Sequence, residues 1–303
     1  MHYGFIGLGN LGGKLAQRLI GAAIELTVFD LDAGQVQQLV SKGAHGADSA
    51  ASLAATVDHV ITCLPSPEIS GAVLAEILGA MRPGASLIEM STISCEDALR
   101  FSEMAASVGV GFLELPVTGG VHLAARGELT LLAGGPEALL DIHRPALNAM
   151  GNTLFHMGAV GSASLIKVIT NMLAFIHLQA CGEALMLAAR GGLDLGDSWR
   201  AIAASSGTSF VHETEGQLIL NGSYDIGFTM DLALKDLGFA KKFGEALGVS
   251  LALAGATLAR FEEAKAAYGG GAQSPMIVKL LEDALATPLR AAGFPASLTN
   301  PDN

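Results

Sequence analysis

Lys167 and Asn171 are the residues whose types and spacing most suggest chemistry. They stand four apart inside an apolar run, one turn from each other on one face of a helix. An amine and a carboxamide so placed can move a proton and orient an oxygen. The run opens after the glycine turn at Gly158. Leu165, Ile166, Ile169, Leu173 and Ile176 recur in it at helical spacing, with no proline. It predicts one long helix over about residues 161–190. Taken alone, that helix leaves a plainer reading open, in which Lys167 lies along apolar surface and keeps its ammonium in water.

The elements that would position these residues lie upstream. Tyr3 to Ile6 is a short apolar run, followed at once by Gly7-Leu8-Gly9-Asn10-Leu11-Gly12. Leu15, Leu19 and Ile20 then recur at helical spacing, and a second apolar run from Leu26 to Phe29 ends in Asp30. Strand, glycine turn, helix, strand and acid in that order specify a dinucleotide site far better than the glycine spacing alone. The first glycine permits the tight turn, the second lets a pyrophosphate approach, and the third lets the helix pack on the strand. Asn10 and Leu11 complete the turn, and the helix start offers N–H groups to the anion. Asp30 is placed to accept hydrogen bonds from the adenosine ribose; its simpler role is that of a strand-end residue. A 2'-phosphate there would meet a carboxylate, and Leu31 and Asp32 follow rather than an arginine. That favours NAD over NADP.

The alternation continues with strands over His59–Leu64 and Ser86–Met90 and helices between them. A doubly wound sheet binds its ligand at the carboxyl ends of its strands, so Leu64, Pro65 and Thr92 are candidates to line the cofactor. Turn geometry at Pro65 and helix capping at Thr92 are the competing local roles. A further strand from Gly111 runs into Pro116-Val117-Thr118-Gly119-Gly120. Successive backbone N–H groups and a hydroxyl suit a carboxylate there, or the segment is only a glycine turn. Beyond the long helix, apolar runs such as Leu232–Leu247 and Met276–Leu285 alternate with Gly/Ser/Pro clusters, including Ser205–Ser209. The expected architecture is α/β. A Rossmann-type doubly wound parallel sheet occupies residues 1–160, and an all-helical domain over 161–303 begins with the interdomain helix. The tail from Phe294 is expected to fray.

Composition narrows the function classes. The chain has 303 residues, half of them hydrophobic, and a formal net charge of -12. That length suits two domains with substantial cores, and the acidic balance argues against nucleic acid or an anionic membrane as partner. Three cysteines without metal-type spacing point to a reducing, cytoplasmic setting and no disulfide framework. No basic leader precedes the first strand, so no secretory signal is expected. Lys167, His177 and Glu183 interrupt the longest apolar stretches, which argues against a membrane span. The eight histidines show no metal-ligand spacing, and no metal is expected.

Four blocks in order resemble the β-hydroxyacid dehydrogenase family, which includes 3-hydroxyisobutyrate dehydrogenases and tartronate semialdehyde reductases. They are Gly7-x-Gly9-x-x-Gly12, Pro116-Val-Thr118-Gly119-Gly120, Lys167-x-x-x-Asn171 and Lys235-Asp236-Leu237. The resemblance implies that the glycine turn binds NAD and that Thr118, Gly119 and Gly120 hold a substrate carboxylate. It implies Lys167 as acid/base, Asn171 as a substrate-positioning residue, and Lys235 as a further residue at substrate and cofactor. Such a lysine must be partly neutral near pH 7, well below the ordinary value of about 10.4. Burial in a cleft between the domains and the positive nicotinamide ring both act in that direction. The chain departs from the family pattern at Thr118 (usually serine), Thr170 (usually a second asparagine) and Ala163 (usually glycine). It departs again at Gln273-Ser274-Pro275, where an acid is usual. These departures bear on the substrate and leave the implied chemistry intact. The related 6-phosphogluconate dehydrogenases are longer and carry histidine before the asparagine, which argues against decarboxylation of a sugar phosphate. An imine reductase-like enzyme and a non-catalytic dinucleotide-binding module are the alternatives, and Lys167 with Asn171 argues against both. A homodimer or homotetramer is expected.

Overall fold

Short apolar runs, each followed by a helix started by glycine, aspartate or serine, build a parallel sheet in the first half of the chain. The computed structural model describes residues 1–299 and divides into one unit of Met1–Lys167 and a second from Val168 onward. In the first, β1 (Tyr3–Ile6), α1 (Gly12–Gly21), β2 (Leu26–Phe29), α2 (Ala33–Val40), β3 (His45–Gly46) and α3 (Ala50–Thr56) come in turn. They are followed by β4 (His59–Thr62), α4 (Pro67–Ile77), β5 (Ser86–Glu89), α5 (Cys95–Ser107) and β6 (Gly111–Glu114). These six strands lie parallel in the order β3-β2-β1-β4-β5-β6. Phe5 and Ile6 point to opposite faces, each into its own core. Leu15 and Leu19 of α1 fill one core, and Leu53, Leu74 and Phe101 of α3, α4 and α5 fill the other. The sheet is therefore doubly wound, as the sequence pattern predicts.

Past β6 the sheet stops being purely parallel. β7 (Val117–Thr118), α6 (Gly120–Arg126), β8 (Leu129–Gly134), α7 (Glu137–Met150) and β9 (Gly151–Gly158) complete the unit. The connection through α6 reverses the chain, so β8 runs antiparallel to both β6 and β7, while β9 lies parallel to β8. A crossover to a parallel neighbour needs a dozen or more residues; between β7 and β8 there is one short helix.

α8 (Ser162–Arg190) starts in the first unit and continues into the second, where α9 (Leu195–Ala203), α10 (Phe210–Glu213), α11 (Glu215–Asn221) and α12 (Met230–Leu247) follow. α13 (Ala252–Tyr268), a 3-10 turn at Ser274–Ile277 and α14 (Lys279–Leu285) complete the helices. Among the described residues of this unit there is no strand, only an isolated bridge between Thr229 and Gln273. Phe175, Leu178 and Leu185 of α8 share its core with Leu237 and Phe261.

Two expectations change here. The apolar stripe read from the sequence is not the buried face of α8: Ile169 is 37% and Leu173 44% exposed, whereas Lys167 and Asn171 are each 9% exposed. The helix is apolar nearly all round, so periodicity could not choose a face. The tail does not fray at Phe294, whose ring packs edge-on against Trp199 and whose carbonyl accepts a hydrogen bond from Asn221 Nδ2 at 2.9 Å. The rest of that expected tail beyond residue 299 lies outside the described residues. Among the described residues α8 is also the one helix long and apolar enough to cross a membrane; here its Phe175–Leu185 face lies in the helical core.

A buried aromatic cluster at the amino ends of the strands makes stability depend on pH. Tyr3 Oη and His143 Nδ1 share a hydrogen bond of 2.9 Å, and the His59 and His143 rings meet edge-on with centroids 4.6 Å apart. Burial, aided by His59, lowers the His143 pKa from 6.5 to about 4, and burial also lowers that of His59 despite the nearby Asp58. The unfolded chain therefore binds more protons than the folded one between these values, so stability is full above pH 6.5 and falls towards pH 4. Urea unfolding at pH 7 and pH 5 should differ by about 2 kcal/mol through His143 alone. His143→Gln should flatten that difference.

Candidate active site

The sterics of the glycine turn fit a dinucleotide. Gly7 has φ +95°, a conformation other residues rarely adopt, and a β-carbon on Gly12 would overlap the carbonyl oxygen of Gly7. A β-carbon on Gly9 would meet no protein atom within 4 Å. So Gly7 makes the turn and Gly12 lets α1 close on it, while Gly9 leaves open the space a pyrophosphate needs. The N-cap position, Leu11, supplies no side-chain acceptor to the first turn of α1. Asp30 is half-buried and grips this turn directly. Its Oδ2 accepts from the Leu8 N–H at 2.6 Å, and its Oδ1 accepts from the Asp32 N–H at 2.8 Å. It is thus a strand-end residue as well as a candidate for the ribose. Each oxygen keeps a second lone pair for that role.

The loops carrying Leu64 and Thr92 are tied together from below. Ser91 Oγ accepts from the Leu64 N–H at 2.8 Å, while the Ser91 N–H donates to Glu89 Oε1 at 2.8 Å. Thr62 Oγ1 donates to Glu89 Oε2 at 2.8 Å, and Ser70 Oγ donates to Ser91 Oγ at 3.3 Å. Burial pushes the Glu89 carboxyl above its ordinary range, and the bonds from Ser91, Thr62 and Ser70 oppose that. The local role considered for Thr92 is taken by another residue, since Ser94 caps α5 through the Asp97 N–H. Pro65 is exposed, and the next residue, Ser66, caps α4.

Thr118 closes β7, opposite Thr130 of β8, and Gly119 and Gly120 follow with φ +124° and +81°. Only glycine tolerates two such conformations in succession without strain. The buried His122 ring lies against this turn, its Nδ1 3.3 Å from where a Gly120 β-carbon would be.

Lys167 is the last residue of the first unit and lies on α8. In the second unit, Asn171 and Lys235 meet at one buried acid, Asp236. Asn171 Nδ2 donates to Asp236 Oδ2 at 2.6 Å, and Lys235 Nζ lies 2.9 Å from Asp236 Oδ1. That second contact is poorly aligned for a hydrogen bond and is best described as an ion pair, which depends on distance more than angle. With its amide nitrogen on Asp236, Asn171 turns its carbonyl oxygen away from the acid.

Sequence reasoning gave no role to Glu89, Glu114 or Asp236. The signal was available for the first two: each is an acid inside an apolar strand, Ser-Leu-Ile-Glu and Gly-Phe-Leu-Glu, and a buried acid must find donors. The Ser205, Thr208 and Ser209 hydroxyls serve the connector itself. Ser205 Oγ donates to Ile202 O, Thr208 Oγ1 to Glu213, and Ser209 caps α10. Burial pushes the Cys63 and Cys181 thiols up to about 12 and Cys95 to about 11, so none offers a thiolate nucleophile. Among the described residues no three His, Cys, Asp or Glu side chains converge to hold a metal ion.

Two family models match successive parts of the chain. Residues 2–158 match the NAD binding domain of 6-phosphogluconate dehydrogenase, and residues 161–281 match the NAD-binding domain of NADP-dependent 3-hydroxyisobutyrate dehydrogenase. The chain is 31% identical over 283 residues to a 2-(hydroxymethyl)glutarate dehydrogenase of Eubacterium barkeri, covering 92% of this chain and 94% of that one. It is 35% identical over 259 residues to a 3-hydroxyisobutyrate dehydrogenase of Pseudomonas aeruginosa, covering 82% and 87%. A crystal structure of 3-hydroxyisobutyrate dehydrogenase from Salmonella typhimurium superposes with a TM-score of 0.86 at 29% identity, covering 92% of this chain and 99% of that chain. Matched by these two models over residues 2–158 and 161–281 and sharing 31% and 35% identity with these dehydrogenases over most of its length, the chain belongs to the β-hydroxyacid dehydrogenase family.

Proposed function

We propose that this protein transfers a hydride between NAD and a small 3-hydroxy carboxylic acid or its semialdehyde. The observation that carries the reading is the burial of Lys167 and Asn171 on one face of α8, with Asn171 held by Asp236. A buried lysine in an apolar helix calls for a function that repays its desolvation. The relatives named above act on acids whose hydroxyl sits one carbon beyond the α-carbon, which supports the substrate class.

Bound NAD would supply the hydride acceptor. Gly7, Gly9, Asn10, Leu11 and Gly12 would hold its pyrophosphate, Asp30 its ribose, and Leu64, Pro65 and Thr92 its nicotinamide end. Thr118, Gly119 and Gly120 would grip the substrate carboxylate with the Thr118 hydroxyl and backbone N–H groups. Lys167 would take the hydroxyl proton in oxidation and return one in reduction. Asn171, oriented by Asp236, would hold the reacting oxygen in line, and Lys235 would contact substrate and cofactor. No step needs a metal ion. The departures at Thr118 and Thr170 bear on which acid is preferred. The intact Lys167 argues against an imine reductase, and Lys167 with Asn171 argues against a module that only binds dinucleotide. Three free cysteines support a reducing cytoplasm. Exposed Leu187, Leu247, Val249 and Leu253 support a homo-oligomer formed through the helical unit.

The test is NADH formation from 3-hydroxyisobutyrate, glycerate, serine and threonate, each with NAD and with NADP. Turnover with at least one acid, faster with NAD and unchanged by EDTA, is expected. Turnover only with cyclic imines, or none despite NAD binding, would contradict the reading. For the cofactor, Asp30→Ala should lower the ratio of kcat/KM for NAD over NADP by about tenfold or more, the worth of a charged hydrogen bond. Loss of the Leu8 contact would weaken both cofactors alike, so the ratio is the quantity to read.

A further inference from the structure

We propose that Glu114 is a positioning residue for Lys167, fixing the lysine's turn of α8 to the strand that leads into Thr118–Gly120. The inference rests on the function proposed above and assigns a role to a residue outside that site.

A helix leaves its first N–H groups without partners inside the helix. Most capped helices of this chain satisfy them locally: Asp32, Ser49, Ser66, Ser94, Asp194 and Thr229 each accept from their own first turn. α8 is different. Glu114, fully buried at the end of β6, accepts four hydrogen bonds there from a distant part of the chain. Its Oε1 accepts from the Gly161 N–H at 2.6 Å and the Ala163 N–H at 2.9 Å. Its Oε2 accepts from the Ser164 N–H at 3.1 Å and from Ser164 Oγ at 2.5 Å. The positive end of the helix dipole faces the carboxylate, which strengthens each bond.

The niche is built for this side chain. Gly134 of β8 lies opposite Glu114 in the antiparallel pair, and a β-carbon on Gly134 would overlap the carboxyl. The anchored turn is also the one that matters for Lys167. Ala163 and Ser164 stand four and three residues before it, and helical side chains lean back over the turn preceding their own Cα. On the strand side, Glu114 is four residues from Thr118. One carboxylate thus links the backbone carrying the proposed acid/base to the backbone carrying the proposed carboxylate grip. A local serine cap would satisfy the same N–H groups without making that link.

Misplacing a reacting group by about 1 Å can cost about a hundredfold in rate. In Glu114→Gln one oxygen becomes an NH2 group, which cannot accept from Ser164. The expected result in the full-length protein is a kcat for the best hydroxyacid reduced about tenfold or more. The Kd for NAD should stay within about twofold, because the glycine turn is untouched, and amide exchange over 161–167 should become faster. Glu114→Asp, which keeps the charge, should recover part of the kcat. Ser164→Ala, which removes one bond of four, should give a smaller loss in the same direction and decides the matter if the glutamine variant does not fold. A glutamine or alanine variant with wild-type kcat and merely a lower Tm would overturn the positioning role alone. Loss of NAD binding in step with kcat would overturn it as well, by reducing Glu114 to a structural prop. A wild-type protein that oxidises no hydroxyacid would overturn the functional reading, and the positioning role with it.

Discussion

Burying an amine is the constraint on which the rest of this structure depends. Lysine is almost never fully buried without compensation, and Lys167 sits on the interior face of a 29-residue helix that offers apolar positions on nearly every side. Nothing about folding α8 required that residue there; a leucine would have packed more cheaply. The placement is intelligible if an amine that exchanges its proton easily is the purpose of the helix. The flanking elements then have the task of holding it still.

Carboxylates do much of that holding, and they repeat one design at four places. Asp30 ties the glycine turn to β2 through the Leu8 N–H. Glu89 supports Ser91, which in turn holds the Leu64 N–H, so two strand-end loops share one buried acid. Glu114 anchors the first turn of α8, and Asp236 orients Asn171 while pairing with Lys235. At Asp30, Glu114 and Asp236 a carboxylate acceptor sits behind a candidate cofactor or substrate residue, and at Glu89 a buried carboxyl, pushed above its ordinary range by that burial, does the same. Charge-assisted hydrogen bonds of this kind are directional and roughly twice as strong as neutral ones. They suit a task in which geometry matters more than net stability, because removing one partner leaves a buried group unsatisfied.

Much of this was legible in the residues. The strands β1 and β2 fall where their apolar runs lie, because a four-residue run bounded by glycine or acid leaves little latitude. The Gly7, Gly9 and Gly12 roles follow from sterics alone. Three things were not legible. The buried face of α8 was hidden because apolar residues surround the helix, and burial there is decided by tertiary packing. The antiparallel return of β8 was hidden because a strand's direction depends on the length and hand of its connection rather than on its own residues. The partners of the acids behind the site were hidden because they lie tens of residues away in the chain: Gly161 for Glu114, Thr62 for Glu89 and Asn171 for Asp236. Phe294 shows the same limit in reverse: a residue near the chain end, expected to fray, is held by Trp199 and Asn221.

The central claim is that Lys167 is the group that exchanges the substrate proton, and chemical rescue tests it most directly. Lys167→Ala would be assayed for hydroxyacid oxidation with saturating NAD, with and without small primary amines in the buffer. Loss of kcat on the order of a thousandfold is expected from removing a general acid/base, with the Kd for NAD unchanged. Partial recovery should rise with the concentration of added amine. A variant that turns over like wild type, or one whose lost activity no amine restores while NAD still binds, would contradict the account.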